Sequence, residues 1–222
     1  MIDNEIKYEF SDFGRKMRII GICVILMIIP IVNVIALIVI LIYQIKALSN
    51  IKKINLKLEK KKLRSFYDHF LISFIIILIG ITLLIILTVN FMYMYNRFIE
   101  YYKDTAERQD HLDVLSYNYR NASFGIMLIG VYFVGIIQFL AWSKFKSFFR
   151  ENINEFPAHI ANDTIQGCGL LKISLIPVLA GAILGFAIFL FGFGLGIIAI
   201  ILQVLGYFRI SHLRDLQNAE PQ

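Results

Sequence analysis

The sequence predicts an all-α, polytopic integral membrane protein. It places two helical hairpins, the first open to a re-entrant reading, around two full transmembrane helices, with interfacial amphipathic helices besides. Three observations carry this. Of the 222 residues, 58% are hydrophobic, where a soluble domain holds about 45–50%. The apolar residues fall in four runs, 19–45, 70–94, 124–142 and 171–208, each as long as or longer than the roughly 18 residues that mark a membrane-crossing helix. They are continuous rather than alternating, which argues against a barrel, and lipid otherwise admits only helices. Third, the run 171–208 has 38 residues and a single charge, Lys172. As one helix it would reach about 57 Å, more than a layer of about 30 Å absorbs even with strong tilt. The polar segments between the runs are each too short for an independent soluble domain, so the chain reads as a single membrane domain, 1–222.

The tail 1–18 is polar and ends in Arg15, Lys16 and Arg18 against the membrane. The run 19–45 is either one tilted helix kinked at Pro30 or a shallow hairpin turning over Pro30 to Asn33. If all four runs cross once, the basic residues divide 12 against 10; if the first and last are hairpins, they divide 18 against 4. The positive-inside rule favours the hairpins, which puts the protein in the cell membrane with both termini cytoplasmic.

The connector 46–66 is amphipathic. Leu48, Ile51, Ile54 and Leu58 share one side and lysines the other, so it is expected to lie in the headgroup layer. Lys46, Lys53, Lys57, Lys60, Lys61, Lys62 and Arg64 are the expected contacts to anionic headgroups; a solvated basic loop is the plainer alternative. The net charge of +6 comes from this connector, not from a basic face on a soluble fold, so no nucleic-acid partner is expected.

The run 70–94 crosses outward into a tyrosine-rich segment, as expected of rings with a polar tip at an interface. The helix is expected to continue to about Arg108, with Asp104 and Arg108 spaced to pair. Asn121-Ala122-Ser123 is a glycosylation sequon on this outer side. The run 124–142 returns inward. After it Phe145, Phe149, Ile153, Phe156 and Ile160 fall on one helical arc, a second amphipathic stretch that Pro157 divides. The last run is expected to turn at Gly192, Gly194 and Gly196, where glycine permits backbone angles that other residues avoid. Gly181-x-x-x-Gly185 and Gly192-x-x-x-Gly196 allow close helix approach, and through them a homo-oligomer.

A weak repeat marks three run ends. Gln44, Gln138 and Gln203 each precede a small residue by three (Ala47, Ala141, Gly206) and an amide or basic residue by six (Asn50, Lys144, Arg209). These glutamines are also the candidates to line a polar path.

Little carries chemistry. No ionisable residue lies in the middle of a run, which weighs against a proton-coupled carrier or an intramembrane enzyme. Glu151, Glu155, His159 and Asp163 recur every four residues, but Pro157 interrupts their helix and a solvated polar face explains them. Asp110, His111 and Asp113 point apart on a helix. Cys168 has only His159 near it in sequence, without the partners a nucleophile needs. No metal, cofactor or catalytic residue is expected.

The segment from Gly21 through Pro30 and Asn33 to Leu48, and the closing Leu202-Gln203-Val204-Leu205-Gly206-Tyr207-Phe208, resemble the two ends of an archaeal family of uncharacterised polytopic membrane proteins, domain of unknown function 996. The likeness covers about a third of the chain and implies the membrane fold but no activity. The expected function is thus that of a multi-pass membrane protein without catalytic activity, a scaffold or bilayer-shaping protein; the alternative is a small channel or transporter subunit.

Overall fold

Ile6, Phe10, Phe13, Met17 and Ile20 recur every three or four positions, a helical stripe, and in the computed structural model the chain is helical from Asn4. The structure describes residues 3–101, 105–187 and 189–218, and side chains over 3–101, 107–182 and 194–218. Among these residues all regular structure is helical. The order is α1 (Asn4–Leu26), α2 (Asn33–Leu58), α3 (Lys61–Tyr101), α4 (Thr105–Glu151), a 3-10 turn at Ile153–Glu155, α5 (Ala158–Ala187), α6 (Phe189–Ile210) and a closing 3-10 segment, Ser211–Gln217. Five helices, α2 to α6, are long and apolar enough to cross a membrane; α1 is not among them. These are the features of a helical membrane protein.

Local chemistry sets the breaks. Pro30 lies between α1 and α2, where it cannot donate to a helix. Glu59 ends α2 in the left-handed region, φ 48°, its N–H donating to the Asn55 carbonyl at 2.9 Å. α3 begins two residues later. Asn152 folds its amide back onto the Phe148 carbonyl at 2.7 Å to close α4, and Pro157 precedes α5, as prolines do at helix starts.

The chain divides into two compact units. The first joins the residues up to Ile72 with those from Gly135 onward. Its core is aromatic: Phe10, Phe13, Phe66, Phe145, Phe148 and Phe149 are all but fully enclosed. Ring centroids lie 4.4 Å apart for Phe66–Phe145 and 4.7 Å for Phe149–Phe156. Each such ring contributes on the order of 2–3 kcal/mol by leaving water. α1 packs on α2, on α6 and on the closing 3-10 segment, and α5 packs on α6.

Two expectations change here. The connector 46–66 is not a separate helix in the headgroup plane: α2 runs unbroken from Asn33 to Leu58, and Leu48, Ile51 and Ile54 are buried in the protein's own core. The arc Phe145, Phe149, Phe156, Ile160 is buried in that same core, with Ile153 packed against it. Both stripes face protein because α1, hidden in a tail that looked merely polar, supplies the opposing side.

The second unit, Ser73–Val134, is built from parts of α3 and α4. Phe91 lies against Tyr119 at 4.4 Å, Thr88 Oγ1 meets the Tyr119 hydroxyl at 3.0 Å, and Phe98 stacks on His111 at 5.7 Å. The two helices therefore run antiparallel there. α3 is described as far as Tyr101, Arg108 belongs to the antiparallel α4, and Asp104 lies outside the described residues.

Candidate functional site

Residues Arg18 and Lys46 are the last charges before the α1–α2 turn and the first after it. Between them lie only apolar and neutral side chains, and those at the turn are turned outward: Ile28, Val34 and Ile35 are exposed, and Ile31 is 89% exposed. The backbone at the turn looks after itself. Met27 donates to the Cys23 carbonyl, Ile28 to Ile25, Ile29 to Leu26, and Val32 and Asn33 both to Ile29. Pro30 has no N–H to satisfy. An apolar tip that bonds the N–H groups of Met27, Ile28, Ile29, Val32 and Asn33 internally suits hydrocarbon, where no water can complete them. Pro30 lies between α1 and α2, and Asn33 is the first residue of α2.

Below this tip the two helices are held by charge. Glu9 and Asn50 are buried. The Asn50 amide donates to Glu9 Oε2 at 2.8 Å and to Asp12 Oδ2 at 2.9 Å. Lys16 donates to Asp12 at 2.5 Å and to the Asn50 amide oxygen, while Lys53 reaches Glu9 Oε1 at 2.9 Å and Lys57 pairs with Glu5. Burial alone would raise the Asp12 carboxyl, but hydrogen bonds from Lys16 and Asn50 and attraction to Lys16 and Arg15 outweigh it and hold it below the usual carboxylate range. The C-terminal segment joins the same end: Ser11 Oγ donates to the Arg214 carbonyl at 2.6 Å, and Arg15 to Gln217 at 2.7 Å.

The basic residues expected at headgroups are thus largely engaged within the chain. Besides Lys53 and Lys57, Lys62 pairs with Glu151, Lys60 lies 4.0 Å from Glu155, and Arg64 lies 3.9 Å from Asp68. Lys46 sits over the Tyr43 ring. Among the described residues Lys61 has no ion pair. Most of these pairs are half-exposed or exposed and contribute little singly.

No protein-family model, no curated protein and no solved structure matches this chain. The site is therefore read from its own geometry.

In the last run the expected turn at Gly192, Gly194 and Gly196 is not where the helix breaks. All three lie within α6, which is described from Phe189 to Ile210. No described glycine takes a positive φ; glycine permits a turn without imposing one, and in lipid an unbroken helix keeps backbone bonds that a turn gives up. The first turns of α5 lie beside the last turns of α6. Asp163 accepts from Arg209 at 2.9 Å and from His212 Nδ1 at 2.6 Å. Gly167 meets Gly206 so closely that a Cβ on Gly167 would stand 2.7 Å from the Gly206 carbonyl oxygen.

The three repeat glutamines do not share one environment. Gln44 is buried beside Tyr207; Gln138 and Gln203 are half-buried. The cavity beside Gln44 measures about 10 Å³, is lined otherwise by apolar side chains such as Phe13, Met17 and Trp142, and includes neither of the other two glutamines. The repeat has a structural counterpart all the same: Asn50 and Arg209, each six residues past its glutamine, are both bonded to an aspartate of the preceding helix, Asp12 and Asp163.

The carboxylates at four-residue spacing are drawn apart by separate basic partners: Glu151 to Lys62, Glu155 to Lys60, Asp163 to Arg209 and His212. Asp113 accepts from Gln109 at 2.9 Å, and Cys168 is fully buried. Asn121-Ala122-Ser123 lies inside α4. The sequence reading missed the α1 stripe, the Asn50 network and the Asp163–Arg209–His212 cluster. For α1 the signal was present in its apolar spacing; the other two join residues more than 30 positions apart.

Proposed function

We propose that the chain is a non-catalytic, multi-pass protein of the cell membrane that scaffolds or shapes the bilayer, with α1–α2 inserted as a wedge in the cytoplasmic leaflet. The observation that carries this is the reach of α1–α2. From Arg18 to Pro30 is 12 residues, about 18 Å of helix, against about 30 Å of hydrocarbon. The tip is apolar and exposed, yet it is too close to the charges at Arg18 and Lys46 to emerge on the far side. In this reading α3 and α4 cross fully, α5 and α6 form the second hairpin, and both termini are cytoplasmic, as the positive-inside rule favours. The hydrogen bonds of Ser11 and Arg15 to the C-terminal segment support termini on one face. A wedge entering one leaflet adds area there and not in the other.

The partners of this proposal are the bilayer, its anionic headgroups, and further copies of the chain through Gly194 and Gly196, whose faces meet nothing within 4 Å. The family resembled at the two ends belongs to the same proposal and would add no activity. A channel or transporter subunit finds less support, because Gln44 is buried beside a cavity too small and too apolar for a path. Reconstitution into liposomes tests the shaping role: vesicle diameter, measured by electron cryomicroscopy, is expected to fall as protein density rises. Unchanged size and shape at high density would remove it.

A further inference from the structure

α4 and α5 each send a lysine across to the other. Lys146 of α4 lays its ammonium against the backbone of α5: a Cβ on Gly169 would stand 3.1 Å from Lys146 Nζ. Lys172 of α5 reaches the opposite way, its ammonium 4.3 Å from the centre of the Phe139 ring on α4, as cations sit over aromatic faces. Phe139 and Lys146, seven apart, share a face of α4, and Gly169 and Lys172, three apart, share a face of α5. Both lysines are half-buried. Among the described residues neither has an ion pair. The carboxylates nearest in sequence are engaged elsewhere: Glu151 by Lys62, Glu155 by Lys60, and Asp163 by Arg209 and His212. Lys172 opens one apolar run and Lys146 lies just past the end of another, so the pair stands at the edge of the hydrocarbon. An ammonium drawn out of water there without a counter-charge is costly. In the adjoining turns Ile136 and Leu140 on α4, and Ile173 and Ile176 on α5, are exposed.

We propose that Lys146 and Lys172 bind the phosphate of an anionic phospholipid where α4 meets α5. Flexible four-carbon stems let both ammoniums turn to one phosphate, and hydrogen bonds between such charged groups are the strong kind. Basic pockets between membrane helices hold headgroups in this way. The acyl chains lie along Ile136, Leu140, Ile173 and Ile176, a surface that a free phosphate would leave bare. No carboxylate is left free here, so the cationic head of a zwitterionic lipid would meet only like charge. This site gives the anionic headgroups of the proposed function a specific place, and it rests on α4 and α5 being membrane spans. It does not depend on the α1–α2 wedge.

The test is native mass spectrometry of the full chain in detergent, with phosphatidylglycerol and phosphatidylcholine added in turn. Phosphatidylglycerol is expected to be retained about tenfold better, the difference that one hydrogen bond to a charged group typically makes. Lys146→Gln and Lys172→Gln each remove most of that preference, while Lys172→Arg, which keeps the charge, retains it. Lys144→Gln, which removes an exposed lysine two residues from Lys146, leaves it unchanged. Inorganic phosphate at the lipid's concentration does not displace phosphatidylglycerol. Circular dichroism shows whether each variant keeps its helix content; should one glutamine variant lose it, the other carries the test. Equal retention of the two lipids by the native chain overturns the proposal. So does a preference that persists in a folded glutamine variant, or one that Lys144→Gln lowers as much. Displacement by inorganic phosphate overturns the assignment to a lipid. Vesicle diameter reads the shaping role separately, so the two ideas can fail apart.

Discussion

Asn50 shows how a single amide can hold two helices. It is 3% exposed, and its one side chain ties Glu9, Asp12 and Lys16 together. The electrostatics have a sign. Asp12 is held below its ordinary value of 3.8, so its contribution is fully present above that value and is lost as pH falls through the lower folded one. On acidification below about pH 4, the melting temperature in detergent is expected to fall more steeply for the native chain than for Asp12→Asn. Equal slopes would remove Asp12 from the account. The glycines separate in the same way. Gly167→Ala drives a methyl against the Gly206 carbonyl and Ile210 and is expected to cost about 1–3 kcal/mol in chemical denaturation. Gly130→Ala, with nothing within 4 Å, is expected to be neutral or slightly stabilising.

Among the elements, α1–α2 carries the exposed apolar tip, Ile28 to Ile35, on which the proposed wedge depends. Ile31 is 89% exposed, so in water a charge there would be harmless. Inside hydrocarbon Ile31→Arg is expected to cost about 2.5–3.5 kcal/mol, read as lost stability of the chain in nanodiscs, with Ile31→Leu near neutral. A neutral Ile31→Arg would place the tip outside the bilayer. This element also shows what the sequence could and could not reveal. Pro30 announced the break between α1 and α2, because a proline acts locally. The α1 stripe was equally local but lay inside a segment whose eight charges masked it. The destination of the stripes at 48–58 and 145–160 was not legible. An apolar face does not say whether lipid or protein covers it, and the answer depended on α1. The helix through Gly192, Gly194 and Gly196 was not foreseen for a related reason: glycine's freedom says where a turn is permitted, not that one is made.

Over the whole molecule, one end of the first unit carries the aromatic core and the ion pairs, and its remaining helical surface is apolar and exposed. In the sequence, the division of charge is what favours hairpins in the first and last runs over single crossings. The distinction lies in how far α1–α2 can reach from its charges. The measurement closest to that question is labelling of single cysteines by a membrane-impermeant maleimide from each side, in a chain with Cys23 and Cys168 replaced by alanine. Lys7→Cys, Lys52→Cys and Gln217→Cys are expected to react from the cytoplasmic face only, Gln109→Cys from the opposite face only, and Ile31→Cys from neither. Labelling of Ile31→Cys from the face opposite Lys52→Cys would contradict the account.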